Sequence, residues 1–395
     1  MKKVTIVGLG MSADTLTTEG LRAVHKADIL IGAPRLIAQF EALCKPSFAE
    51  YVPEKVAHFI NESENMSFCI LVSGDTGFYS AADGLCSVLK GCELSVIPGV
   101  SSLSYFFARL MRPWQDVTAV SCHSRRPNLV DIVRRSRLTF ALTGGNIAEL
   151  GDELTHAGFG SLTAYIGENL GLPEERLLTL PVSGLSAAGT GGLTVLLVEN
   201  PGHDNRVRFG IPDEEFIRGE VPMTKAEVRA VAMSRLALSP KAVCCDIGAG
   251  TGSVTVEMAL AAYEGRVYAL DKNEEAIQLV SANCHAFHLG NVTPELGEAP
   301  GALTHLPPMD AAFIGGSSGK LSEIFDILIK RNPHVKVVIN AVTLETLHEA
   351  TQSFATHGIV PHIIQISVTR AKPIGNRHML QAGSPVFILS GGQNE

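Results

Sequence analysis

A chain of 395 residues exceeds what one hydrophobic core usually organises, so two domains of roughly 200 residues are expected. Its composition, 46% hydrophobic and 18% charged without low-complexity runs, is that of a soluble globular protein and excludes extensive disorder. A formal net charge of −8 argues against a nucleic-acid surface, which needs a basic stripe, and no apolar run is long enough to span a bilayer.

The first half alternates short apolar runs with helical stretches. Strands are expected at 4–7, 29–31, 68–72, 93–97, 138–142, 163–166 and 193–198, with helices between them at 17–26, 80–89, 102–111 and 147–157. Alternation of this kind predicts a largely parallel sheet covered by helices. The opening "MKKVTIVGLG" has two lysines like a secretory signal, but its apolar stretch is short and glycine-broken, so no signal peptide is expected. "GLGMSA" matches G-x-G-x-x-A, and Asp28 lies 20 residues after Gly8. A dinucleotide site is nevertheless not expected. Asp28 precedes the second strand instead of ending it, and the helix starts late, after "MSADTLTT".

The stretch "ENPGHDNRVRFGIPDEEF" (199–216) is polar, holds two prolines and follows neither period, which places a domain boundary near residue 205. A helix in "MTKAEVRAVAMSRLAL" follows, with Val228, Val231, Ala232, Leu236 and Leu238 on its apolar side. Strands are then expected at 242–246, 266–270, 292–296, 311–314, 335–340, 362–368 and 385–389, the last two joined by an irregular connection. Consecutive strands without a crossover helix should pair antiparallel. Seven strands with a reversed final hairpin is the layout of a Rossmann-like class I S-adenosylmethionine (SAM) methyltransferase.

The second half also carries "DIGAGTGSVTVEMA" (246–259), a strand end, a glycine turn and a helix start. Gly248, Gly250 and Gly252 permit a tight turn and close approach of backbone to a ligand. Ser253 stands where the third glycine of a dinucleotide fingerprint would fall, so the loop fits the amino-acid moiety of SAM better than a pyrophosphate. Asp271 ends the next strand, 19 residues beyond Gly252, where a carboxylate accepts hydrogen bonds from ribose hydroxyls.

None of the eight cysteines forms a CxxC, and Cys244 and Cys245 fall in an expected buried strand, so a reduced, cytoplasmic protein is expected. His285 and His288 are spaced for one helix face but have no companion ligand at a matching offset. A solvated face is expected there, and no metal site.

Four stretches of the first half, "LVSGDTGFYSAADGL" (71–85), "VIPGVSSLSYFFARL" (96–110), "YIGENLGLPEERLLTL" (165–180) and "LTVLLVEN" (193–200), resemble the tetrapyrrole methylases, and "GENLG" resembles the branch acting on precorrin carbon 5. The second half resembles the decarboxylating precorrin methyltransferases through "PMTKAEVR" (222–229), the glycine turn, "GEAP" (297–300), "DAAFIGGSSG" (310–319) and "NAVTLET" (340–346). In this order the whole resembles the fused, bifunctional precorrin-6Y methyltransferase family. One departure is "GLGMSADTLT", where tetrapyrrole methylases often carry a Gly-Pro-Gly-Asp-Pro type segment.

The resemblance implies an α/β protein of two domains: a tetrapyrrole methylase-like domain (1–204) that methylates carbon 5, and a class I SAM domain (205–395) that methylates carbon 15 and decarboxylates the carbon-12 acetate. Together they would convert precorrin-6B to precorrin-8X in cobalamin synthesis. It implies SAM contacts at Ser73, Gly74, Asp75, Phe78, Ser101 and Ser102 in the first domain, and at Thr224, Gly248, Ala249, Gly250, Thr251, Gly252, Asp271 and Ala299 in the second. It also implies a homo-oligomer. A macrocycle fringed with carboxylates needs local cations. Candidates are Arg109, Arg112, Arg125, Arg126, Arg134, Arg135 and Arg137, and, between the last strands, Arg370, Lys372, Arg377 and His378. Gly315, Gly316 and Ser317 of "GGSSG" offer amides and a hydroxyl for the departing carboxylate. Asp75 is also readable as an N-cap or turn aspartate, the lesser of its two readings. A chain with one degenerate domain and a single activity, a nucleic-acid or small-amine methyltransferase, and a non-catalytic tetrapyrrole-binding protein are the alternatives. "DAAFIGG" in place of a [DN]PP[YF] segment counts against the second of these.

Overall fold

The computed structural model describes residues 1–123 and 126–392, and divides them into two compact units. The first comprises 1–126, 137–151 and 162–201; the second comprises 127–136, 152–161 and 202 onward.

The first unit holds two five-stranded sheets. One is wholly parallel, in the order β3-β2-β4-β1-β5, from β1 (Lys3–Gly8), β2 (Ile29–Gly32), β3 (Ser47–Ala49), β4 (Ser67–Val72) and β5 (Glu93–Ile97). β4 is apolar at every position after Ser67, and Val4, Ile6 and Val7 of β1 are buried, because both faces of this sheet are covered. Ile6, Ile31 and Ile70 pack on one side, and Val7, Leu30 and Leu71 on the other. The other sheet, β6 (Val117–Ser121), β7 (Leu138–Leu142), β8 (Thr163–Glu168), β9 (Arg176–Pro181) and β10 (Thr194–Glu199), has the order β6-β7-β10-β8-β9. Only β6 and β7 run parallel; the other pairs are antiparallel. The expectation of a largely parallel sheet therefore holds for half of this unit. The reason is local: residues 169–175 between β8 and β9 are too few for a crossover helix, so the chain returns beside itself.

The second unit carries one seven-stranded sheet in the order β13-β12-β11-β14-β15-β19-β16. Its strands are β11 (Val243–Ile247), β12 (Arg266–Asp271), β13 (Val292–Leu296), β14 (Ala311–Ile314), β15 (Lys336–Ala341), β16 (His362–Ile366) and β19 (Val386–Gly391). β19 is antiparallel to both neighbours, as the reversed final hairpin requires. Cys244 and Phe313 face one buried cluster, Cys245, Ile247 and Ile314 the other, following the two-residue alternation of a strand. The connection between β16 and β19 is not irregular. It forms a hairpin, β17 (Thr369–Ile374) and β18 (Arg377–Ala382), exposed at every position.

Candidate cofactor and substrate sites

In the second unit the ends of β11, β12, β13, β14 and β15 surround a cavity of about 540 Å³, within the range of small-molecule sites at such sheet ends. Thr224, Gly248, Ala249, Gly250, Asp271, Ala299, Gly315, Gly316 and Ser317 all line it. Of the expected cofactor residues, Thr251 is buried and Gly252 caps the helix Ser253–Ala261, so these two shape the turn from behind.

The turn depends on glycine. Gly248 and Gly250 have φ of 74° and 55°. A Cβ at Gly248 would lie 2.7 Å from the Gly316 nitrogen, and one at Gly250 2.5 Å from the Pro222 oxygen. The Gly248 and Ala249 amides donate to Leu270 O (2.9 and 3.1 Å), and the Gly250 amide donates to Asp271 Oδ2 (2.9 Å). Asp271 Oδ1 accepts from Asn273 N (2.9 Å). Asp271 thus closes the glycine turn while its carboxylate stands in the cavity wall.

Asp246, at the end of β11, was not singled out from sequence because it sits inside the apolar run "VCCDI". It is 1% exposed and lines the cavity. Thr255 Oγ1 donates to its Oδ2 (2.5 Å), while Oδ1 is buried without a partner. Burial raises its pKa to about 7 from an ordinary 3.8. An orphaned carboxylate oxygen at the floor of a cavity calls for a donor, preferably a cation. The ammonium of SAM would supply such a donor and its ribose hydroxyls would have the Asp271 carboxylate to bond, so the residues present fit the expected cofactor.

The "GGSSG" turn offers less than its sequence suggests. The Gly315 and Gly316 amides donate to Ile247 O (2.9 and 3.3 Å), and Ser318 Oγ accepts from Lys272 Nζ (2.9 Å). The amides of these two glycines are therefore committed to the sheet end.

A buried guanidinium holds the wall at 222–225. Arg229, 0% exposed, donates through Nε to Glu257 Oε1 (2.9 Å) and through its terminal nitrogens to Asp213 Oδ1 (3.0 Å), Thr224 O and Ile211 O. Glu257 also accepts the Gly210 and Ile211 amides (2.9 and 3.0 Å).

Arg370 and Lys372 do not line this cavity. Arg370 lies on β17 and donates to both Glu227 oxygens (3.1 and 2.5 Å), which fixes the hairpin to the first turn of the helix Ala226–Leu236. Lys372, Arg377 and His378 are exposed on the hairpin. His288 falls beyond the helix Glu274–Ala286, with φ 53°, so it shares no helix face with His285. Its ring stacks on Phe159, and its Nδ1 is 2.7 Å from Ala157 O, which replaces the expected solvated face.

In the first unit the ends of β1, β4 and β5 converge. A Cβ at Gly99 would lie 2.3 Å from Gly74 O and 2.6 Å from Gly8 O, so the three turns touch backbone to backbone. Gly10 and Gly74 exchange amide bonds of 3.1 Å each. Asp75 Oδ1 accepts from Gly77 N (2.8 Å) and Oδ2 from Gly99 N (3.2 Å), which joins the "SGD" and "PGVSS" turns. Ser101 caps the helix Ser102–Arg109 by accepting from Ser104 N (3.1 Å). Ser73, Gly74, Asp75, Ser101 and Ser102 are thus gathered at one sheet end. Phe78 instead packs against the second sheet's core, 6.1 Å from Phe140. Asp28 sits at the amino end of β2, where Oδ2 accepts from Ser67 N (3.0 Å). The helix after β1 starts at Thr18.

The cations expected in the first half of the sequence, of which Arg134 and Arg135 fall in the second unit, are largely consumed by ion pairs. Arg109 meets Glu175 (3.0 Å), Arg126 meets Glu149 (3.1 Å), and Arg134 and Arg135 meet Asp131 (2.6 and 3.8 Å). Arg112 donates to both oxygens of Glu199, whose pKa this pair lowers, with Arg137 adding to the field. Arg125 lies outside the described residues.

Residues 3–186 match the family described as Tetrapyrrole (Corrin/Porphyrin) Methylases, and residues 215–391 match the Precorrin methyltransferase domain. A probable cobalt-precorrin-6B C(15)-methyltransferase (decarboxylating) of Pyrobaculum calidifontis is 42% identical over 184 residues, covering 46% of this chain and 94% of that protein. A precorrin-6Y C(5,15)-methyltransferase [decarboxylating] of Sinorhizobium sp is 27% identical over 394 residues, covering 97% of this chain and 94% of that protein. A crystal structure of precorrin-6y C5,15-methyltransferase from Geobacter metallireducens is 36% identical over 47% of this chain and 97% of that one, with a TM-score of 0.45. The chain belongs to the precorrin methyltransferase family, with a tetrapyrrole methylase region preceding the precorrin methyltransferase domain in one polypeptide.

Proposed function

We propose that the chain is a bifunctional, SAM-dependent C-methyltransferase of cobalamin synthesis: residues 1–204 methylate a precorrin at carbon 5, and residues 205–395 methylate carbon 15 and decarboxylate the carbon-12 acetate, taking precorrin-6B to precorrin-8X. The observation that carries this reading is the cavity in the second unit, where an orphaned Asp246 oxygen and the Asp271 carboxylate flank a glycine-rich turn. The full-length relative, named for both methylations, supports joining the two activities.

SAM supplies a methyl group already activated on a sulfonium, so an electron-rich ring carbon can take it without a nucleophile from the protein. The protein's task is orientation and exclusion of water. Asp246 and Asp271 fix the two ends of the donor, and the Gly248–Gly250 backbone allows it to lie against the sheet end. Val228, Val254, Phe313 and Val386 make much of the remaining wall apolar. In the decarboxylation the acetate C–C bond breaks, carbon dioxide leaves, the electron pair enters the conjugated ring, and a proton returns to the exocyclic carbon. For the first unit, the gathered "SGD" and "PGVSS" turns support a second donor site. The exposed hairpin β17–β18, with Leu380 73% and Ile374 53% exposed, supports a homo-oligomer. Among the described residues no helix is long and apolar enough to cross a membrane, consistent with a cytoplasmic enzyme.

Incubating the chain with precorrin-6B and labelled SAM tests this reading. Two methyl groups transferred and one carbon dioxide released per macrocycle are expected; transfer at carbon 15 alone refutes the assignment of the first unit, and transfer at carbon 5 alone that of the second.

A further inference from the structure

The cavity of the second unit has two parts. Asp246, Gly248–Gly250, Asp271 and Ala299 come from β11, β12 and β13 and their turns, and they account for the donor. The ends of β14, β15 and β19 supply a second part, with Phe313, Ser317, Asn340, Val342 and Val386, beside the wall at 221–228. In this second part Asn340 is distinctive. It lies at the carboxyl end of β15, one position beyond Ile339, which is level with Ile314 and, through it, with Ile247 at the end of β11. Strand alternation therefore puts its side chain on the face of Val338, Phe313 and Asp246. Its Oδ1 is buried and accepts no hydrogen bond. Two residues on, Val342 lines the cavity yet is 69% exposed, and Leu344, the first residue of the helix Leu344–Thr356, is 78% exposed. An unpartnered acceptor on a cavity-lining residue, next to an apolar lip at the mouth, fits a flat ligand with an apolar face that carries an N–H.

We infer that Asn340 accepts a hydrogen bond from a pyrrolic N–H of the methyl-accepting macrocycle, and that Val342, extended by Leu344, seats the conjugated face of the same ring. This rests on the reading of the second unit as a precorrin methyltransferase and adds the residues that hold its acceptor.

The test uses the full chain with precorrin-6B, labelled SAM at saturation, and calorimetry with S-adenosylhomocysteine. Asn340→Leu keeps volume and removes the acceptor; Val342→Asp changes an exposed position whose folding is not at issue. Each is expected to raise KM for the macrocycle at least tenfold in the carbon-15 methylation while changing the affinity for S-adenosylhomocysteine less than twofold. An unchanged KM in either variant, or a loss of S-adenosylhomocysteine affinity matching the rise in KM, overturns the inference. If the unaltered chain transfers no methyl group to carbon 15, the reading of the unit itself fails, a result distinguishable from either variant outcome.

Discussion

Replacing Arg229 by Met removes one buried cation and leaves two acids behind. Glu257 is 0% exposed, so its charge loses the Arg229 guanidinium, its one ionic partner among the described residues, and keeps the Gly210 and Ile211 amides. Asp213 is better protected, because Lys225, Arg218 and Arg370 stand 3.6, 3.9 and 3.9 Å away. Most of the cost therefore falls on Glu257, and breaking such a buried pair costs about 3–5 kcal/mol. For a domain near 200 residues, at roughly 2–4 °C per kcal/mol, this lowers the melting midpoint by about 6–20 °C. Arg229 also holds Thr224 O, so the cavity wall at 222–225 loosens and S-adenosylhomocysteine binds more weakly in what remains folded. The double variant Arg229→Met/Glu257→Gln removes the stranded charge and should recover about 1–3 kcal/mol relative to the sum of the single changes. Thermal melts with and without S-adenosylhomocysteine, over the four members of the cycle, check this. A cost below about 1 kcal/mol for Arg229→Met, or strict additivity, would refute the claim that a charge network supports the wall.

Gly250→Ala combines a left-handed backbone with a Cβ only 2.5 Å from Pro222 O; at least tenfold weaker S-adenosylhomocysteine binding in the second unit is expected by calorimetry. Asp246 titrates near 7 in the folded chain and near 3.8 when unfolded. The unfolded chain thus releases this proton first, and the contribution of Asp246 to stability falls as pH rises from about 4 to 7 and is flat above. Asp246→Asn removes that slope, so denaturation from pH 4 to 8 should show the variant gaining on the parent. The same ionisation favours a cationic ligand, so kcat/KM for SAM at the second site should rise toward a plateau above pH 7 in the parent and stay low and flat in the variant. Asp75→Ala removes the acceptor shared by Gly77 and Gly99; a loss of about 1–2 kcal/mol from the first unit and loss of its donor site are expected, with carbon-15 methylation retained.

What could be read from sequence was what is local. The glycine turn and Asp271 belong to one strand–turn–helix–strand unit, and backbone geometry alone ties their spacing to a site. Arg229 was illegible because an arginine beside Val228 on a helix normally reads as solvent-exposed, and its acids are Asp213 and Glu257, 16 and 28 residues away. Asp246 was hidden by its apolar neighbours, since a buried acid announces itself only when its partners are known. The hairpin β17–β18 has both faces exposed and Pro373 within a strand, so it shows no alternation to detect. Arg370 looked like a cation at the cavity mouth because it follows β16; only the fold reveals Glu227 waiting for it.

Titration of the full chain with S-adenosylhomocysteine measures the central claim most directly, because the claim is that one polypeptide holds two separate donor sites. A stoichiometry of two per chain is predicted, reduced to one by Gly250→Ala with the other site unchanged. A stoichiometry of one in the unaltered chain, abolished by that single substitution, would contradict it.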